Sequence, residues 1–121
     1  MKITMEMSKG AYEIAKQVYS RRLSRNEGKI EINRITGMSE GSAQAFITIF
    51  LAMMEGEVYK RAFNNAANKF LLESIRRDFG EDSFKVALNA AQKHIDYYST
   101  LKKGNLTGFQ KIVDQMRNSF V

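Results

Sequence analysis

Along most of this chain apolar residues recur three and four positions apart, the spacing that gathers them on one face of a helix. From about Thr4 to Leu23 that face is Met7, Ala11, Ile14, Ala15, Val18 and Tyr19, with Lys9, Glu13, Lys16 and Gln17 turned to water. The stretch from Glu40 to Met54 is the most hydrophobic. Ala43, Phe46, Ile47, Phe50 and Met54 form its stripe, and Ile49, Leu51 and Met53 widen it. A further helix over Ala66 to Phe79 buries Ala67, Phe70, Leu71 and Ile75. The next, opened by Glu81 and Asp82, carries Phe84, Leu88, Ala91, Ile95 and Tyr98, so Tyr98 is a core residue while His94 and Tyr97 fall on the flank. A last helix from about Thr107 to Asn118 packs Phe109, Ile112, Val113 and Met116. Strand-like alternation is confined to Lys29-Ile30-Glu31-Ile32, and proline is absent. The pattern predicts an all-α protein, a compact bundle of about five to six helices.

Punctuation between these stretches predicts a helix-turn-helix-like pair. Ser24-Arg25-Asn26-Glu27 has the form of a capping box, so a helix starts there and ends near Ile35. Gly28 weakens its first turn, and Ile32 with Ile35 gives it only a narrow apolar stripe. Gly37 is placed to close this helix in a left-handed conformation, and Ser39 to cap the first free amides of the next. A helix, a tight glycine turn and a capped second helix make the outline of the DNA-reading motif. Gly56 ends the third helix, Asn64 or Asn65 caps the fourth and Gly80 terminates it. Residues 58–64 form a connection or a helical turn.

Composition narrows the chemistry. At 121 residues and 13.8 kDa a single helical domain, 1–121, is expected, with no catalytic domain. The absence of cysteine excludes disulfides, a thiolate nucleophile and cysteine-ligated zinc, and points to a reducing, cytoplasmic setting. Residues 1–6 are too polar for a signal sequence, and no apolar run approaches the roughly 20 residues of a membrane span, so a soluble protein with no membrane partner is expected. The single histidine has no carboxylate triad at ligand spacing, and there is no phosphate-cradling glycine loop and no Ser-His-acid arrangement. No catalytic residue, metal or cofactor is therefore assigned, and the chain is expected not to be an enzyme.

A net charge of +6 favours a polyanionic partner, DNA first among them. Through residue 38, eight Lys or Arg stand against four Glu. Arg21, Arg22, Arg25, Lys29 and Arg34 gather around the first interhelical turn, either as a footprint for phosphates or as a solvated basic surface. On the third helix Ser42, Gln44 and Thr48 are residue types that touch base edges, although no Arg or Lys lies on that helix. Its face of Gly41, Gln44, Ala45, Thr48 and Ala52 equally suits the close approach of another helix or a partner protein. Lys60 and Arg61, with Lys69, Arg76 and Arg77, form a second basic set, and the last two also suit a helix C-terminus.

One ordered set of residues carries a resemblance. Gly37-Met38-Ser39, Gly41-Ser42-Ala43, Phe46-Ile47, Met53-Met54-Glu55-Gly56, Tyr59-Lys60-Arg61, Asp78-Phe79-Gly80 and His94-Ile95-Asp96-Tyr97-Tyr98 follow one another in a way that resembles the N-terminal helical domain of McrA-like HNH restriction endonucleases and related bacterial defence proteins. The likeness runs from about Met5 to Phe120. It implies an all-α accessory domain beside a nuclease, engaging DNA or organising the assembly, with Tyr59, Lys60, Arg61, His94 and Tyr97 as candidates for nucleic-acid contact. The chain departs from the pattern in ending where the catalytic half is expected to begin, and with one histidine it has no HNH cluster, so cleavage does not carry over.

Two classes of function follow. One is a DNA-binding or accessory domain, for which a homodimer is an open arrangement because helix-turn-helix proteins commonly bind as dimers. The other is a protein-interaction module, such as a phage or mobile-element inhibitor acting on a nuclease or defence complex.

Overall fold

Side-chain and backbone caps divide the chain into helices much as its polar punctuation predicts. In the computed structural model, which describes residues 2–120, these are α1 (Met5–Tyr19), α2 (Arg25–Thr36), α3 (Glu40–Glu55), α4 (Asn65–Phe79), α5 (Glu81–Ser99) and α6 (Thr107–Arg117). The protein is all-α. Among the described residues there is no strand, and residues 29–32 are helical, their alternation overridden by the capped turn before them. No helix among them is long and apolar enough to cross a membrane. Contacts group the chain into two compact units, one up to Leu51 and one from Ala52, with α3 running through the division.

In the first unit α1 packs on α2. Helix α1 stops at Tyr19, four residues short of the stretch its periodicity predicts. Arg21 turns left-handed at φ 65°. Its N–H donates to the Val18 carbonyl at 3.1 Å and that of Arg22 to Gln17 at 2.9 Å, the paired bonds that close a helix end, here without the usual glycine. Ser24 then opens α2: its hydroxyl accepts from the Glu27 amide at 3.0 Å, and the Glu27 carboxylate accepts from the Ser24 amide at 2.9 Å. Those bonds hold the Glu27 carboxyl below the usual carboxylate range.

The apolar face of α1 is wider than its main stripe. Ala11, Ile14, Ala15 and Val18 are buried, and so is Tyr12, whose ring meets the edge of Phe50 at 5.5 Å. Tyr19 is 38% exposed, lying against Phe50 from outside. Of the apolar side chains of α2 only Ile32 is fully buried, and Ile35 points to solvent at 45% exposure. Gly28, also buried, sets how closely this helix can approach its neighbours. A β-carbon there would meet the Val18 Cγ2 at 2.5 Å and the Ile47 Cδ1 at 3.2 Å, so the glycine is a point of close approach to the neighbouring helices rather than a defect of the first turn.

The α2–α3 turn is tied at each polar group. Gly37 adopts φ 78°. The Thr36 hydroxyl donates to the Ile32 carbonyl at 2.7 Å and accepts from the Met38 amide at 3.0 Å. The Asn33 side chain donates to the Met38 carbonyl at 2.8 Å, and the Ser39 hydroxyl accepts from the Ser42 amide at 3.2 Å. Met38 itself is fully buried and anchors the turn. On α3, Ala43, Phe46, Ile47, Ile49, Phe50 and Met53 are buried, as is Ala52, which the sequence assigns to the outer face. Gly41, Gln44 and Thr48 remain exposed.

In the second unit α4, α5 and α6 pack on one another. Asn64 is the cap of α4, its side-chain oxygen accepting from the Ala67 amide at 2.8 Å. Residues 57–64 are an extended connection without helix. The buried face of α5 takes in Ala87, Ala90 and His94 beside Phe84, Leu88, Ala91 and Ile95. His94 therefore sits in the core and not on the flank, because two small alanines let the face spread, while Tyr98 is only half-buried. Arg76 is a structural cation: its guanidinium forms a fork with Glu81, donates to the Ser119 hydroxyl at 3.0 Å and lies 4.7 Å from the Phe84 ring centre. Arg77 pairs with Asp78.

Candidate nucleic-acid interface

The capping box places Arg25 at the first position of α2, and the bound turn swings α3 so that its outer face lies beside it. Arg25 donates from its guanidinium to the Thr48 hydroxyl on α3. Around that contact a shallow cavity of about 220 Å³ is lined by Arg25, Asn26, Lys29 and Gln44. Four residues drawn from two helices, three of them among the expected contacts, thus form one polar site in the first unit. The missing basic residue of α3 is supplied by α2: a guanidinium is held over Thr48, on a helix with no Arg or Lys of its own.

The expected contacts do not all belong to this site. Arg21 and Arg22 are exposed in the α1–α2 turn, close in sequence to Arg25. Among the described residues no carboxylate pairs with Arg21, Arg22 or Arg25, so their charge is uncompensated. Lys29 stands 3.7 Å from the Glu40 carboxylate, which dilutes it. Arg34 is held by Glu31 one turn earlier on α2, and the pairing lowers the Glu31 carboxyl while raising the guanidinium. Ser42 is half-buried and does not line the cavity. Asn26 does, and was missed because its neighbours read only as a cap.

Lys60 and Arg61 belong to the second unit. There they line a larger cavity of about 380 Å³ with Asn68 and His94, between walls that include Tyr98 and Phe109. Lys60 lies 5.6 Å from the Tyr97 ring centre and Arg61 5.7 Å from that of Phe63, contacts that hold both cations at the rim. Tyr59 is buried and stacks on His94 at 4.6 Å and 8°. Its hydroxyl has no hydrogen-bonding partner among the described residues, and burial pushes its ionisation far upward. Since a carbonyl only accepts, the His94 Nδ1–H donates to the Tyr59 carbonyl at 2.5 Å, leaving Nε2 as the acceptor nitrogen of the neutral ring. Asn68 was legible as a polar residue three and four positions before Leu71 and Leu72 in the apolar stripe of α4, and went unread. No group of three or more metal-ligating side chains occurs among the described residues.

Burial lowers the His94 pKa from its ordinary value, against a smaller opposite effect of the Tyr59 carbonyl. The unfolded chain therefore takes up this proton first. Stability is complete above about pH 6.5, falls as pH drops through that value and levels off once the folded ring is charged too. Urea midpoints on either side of about pH 6.5 should show the fall, and His94→Gln should remove it; an unchanged fall in the variant would assign it to other groups.

Comparison of the chain with protein-family models, with curated proteins and with solved structures finds no match in any of the three.

Proposed function

We propose that this chain is a non-catalytic DNA-binding module that engages the duplex through the α2–turn–α3 pair of its first unit. The observation that carries this reading is the union of Arg25, Lys29, Gln44 and Thr48 at one site, beside the unpaired charges of Arg21 and Arg22. The arginines contact phosphates and fix the register, and Gln44, with Thr48 once Arg25 moves to a phosphate, meets base edges in the major groove. The resemblance to the N-terminal domain of McrA-like endonucleases implies the same role, as an accessory to a nuclease supplied elsewhere. A protein-interaction module is the competing class, and it draws on the uncharged outer face of α3.

Backbone amide shifts recorded during titration with duplex DNA separate the two. The expected changes fall on residues 21–29 and on the amides of Gln44 and Thr48. Changes confined to the second unit, or none at low salt, would contradict the proposal.

A further inference from the structure

The cavity of the second unit is lined by polar side chains as well as rings, Asn68 and His94 among them. Asn68 is 3% exposed, lines the cavity and makes no side-chain hydrogen bond among the described residues. Its carboxamide is therefore open to a partner from the cavity. His94 lines the cavity beside it, and with Nδ1 used by the Tyr59 carbonyl its Nε2 is the acceptor nitrogen of the neutral ring. Flat apolar walls stand beside them: Phe109 is buried, and the Tyr98 and Phe109 rings each lie 6.5 Å from the imidazole.

These groups define a ligand. The amide offers a donor and an acceptor side by side, which matches a ring edge bearing an acceptor next to an amino group, as adenine does at N7 and N6. The second hydrogen of that amino group suits an acceptor such as Nε2. The aromatic walls suit a flat heterocycle. At the rim Lys60 and Arg61 carry charge, and Asn65, the first residue of α4, also lines the cavity, so the N-terminus of that helix borders the same space. A ring with one phosphate meets every one of these features. A volume of about 380 Å³ is near the lower end of ligand pockets, the size for a single nucleotide.

We propose that this cavity binds an adenine nucleotide, with the Asn68 amide on the base edge, His94 beside it and Lys60 and Arg61 on the phosphate. The site is independent of the α2–turn–α3 reading, and its test is read on different residues. The nucleotide has two sources, a free mononucleotide or an adenine in a DNA strand, and the experiment distinguishes them.

The full chain is titrated with adenosine monophosphate, with adenosine, with guanosine monophosphate and with a short single-stranded oligodeoxyadenylate. The Asn68 side-chain amide and the His94 ring are followed by NMR. Adenosine monophosphate is expected to shift both groups, to bind about tenfold tighter than adenosine through the two cations, and to outcompete guanosine monophosphate, whose O6 and N7 are both acceptors. Lys60→Ala with Arg61→Ala, both exposed residues, should remove the preference for the phosphate while the helical fold, followed by circular dichroism, is kept. Asn68→Leu should weaken all adenine ligands at least about tenfold. Shifts from the oligonucleotide alone would support the strand as the source. No shift of Asn68 or His94 with any ligand at millimolar concentration, or equal binding of the adenine and guanine nucleotides, would overturn the proposal.

Discussion

Neutralising three arginines, as Arg21→Asn, Arg22→Gln and Arg25→Gln together, is expected to weaken duplex binding about a hundredfold at low salt and to flatten its salt dependence by about three in the log–log slope. Among the described residues these are the three arginines of the first unit that no carboxylate compensates, so each phosphate contact they make releases its counterion in full. Arg34 and Lys29 face Glu31 and Glu40 and should contribute less. Asparagine is chosen at position 21 because it tolerates the left-handed backbone that Arg21 adopts. The matching control is Lys102→Asn with Lys103→Gln, since Lys102 is the other left-handed non-glycine residue among those described, at φ 58°. Equal losses from the two sets, measured by fluorescence anisotropy, would place the phosphate surface somewhere other than the α1–α2 turn.

The second large effect is on stability. Helix propensity alone would make Gly28→Ala stabilising by about 1 kcal/mol, as alanine is in an exposed helix. Packing opposes it. The new methyl would stand 2.5 Å from the Val18 Cγ2, and valine, branched at its β-carbon, has no alternative rotamer of comparable energy in a helix. The cost of overpacking, about 1–3 kcal/mol, should win, so Gly28→Ala lowers the urea midpoint and Gly28→Leu lowers it by at least about 3 kcal/mol equivalent. Gly41→Ala supplies the contrast: no atom lies within 4 Å of its added carbon, and the same substitution there should stabilise by a few tenths to about 1 kcal/mol. A Gly28→Ala variant as stable as Gly41→Ala would show that α1 and α3 yield at this point.

Gly28 also shows where the sequence stops being legible. As a residue it reads only as a poor helix former, because propensity is local and the side chains that crowd it come from other parts of the chain. The helices were legible for the opposite reason. Ser24 with Glu27, Gly37, Ser39 and Asn64 act within three or four residues, and each does in the structure what its position implies. The end of α1 was misread because an arginine took the left-handed position that usually signals itself by glycine. His94 was misplaced since a strict stripe ignores how far Ala87 and Ala90 let a helix face widen.

The candidate site follows the same division. Arg21, Arg22, Arg25, Lys29 and Arg34 were legible as a basic cluster. Which of them keeps an uncompensated charge depends on Glu31 and Glu40, and that is a matter of geometry. The juxtaposition of Arg25 with Thr48 joins residues 23 positions apart and has no local signal. It changes the reading of α3, whose lack of basic residues argued against groove readout until α2 supplied one. Asn68 left a trace, a polar residue in an apolar stripe, but only the cavity beside it gives that trace a meaning.

The decisive measurement is the affinity of the full chain for a labelled DNA duplex, plain and cytosine-methylated, across a series of salt concentrations. The expected result is binding that weakens linearly in log salt with a slope of about −3, the three uncompensated arginines each displacing one counterion. No binding at low salt, or binding indifferent to salt, would contradict a DNA-engaging first unit and leave its α3 face to a protein partner.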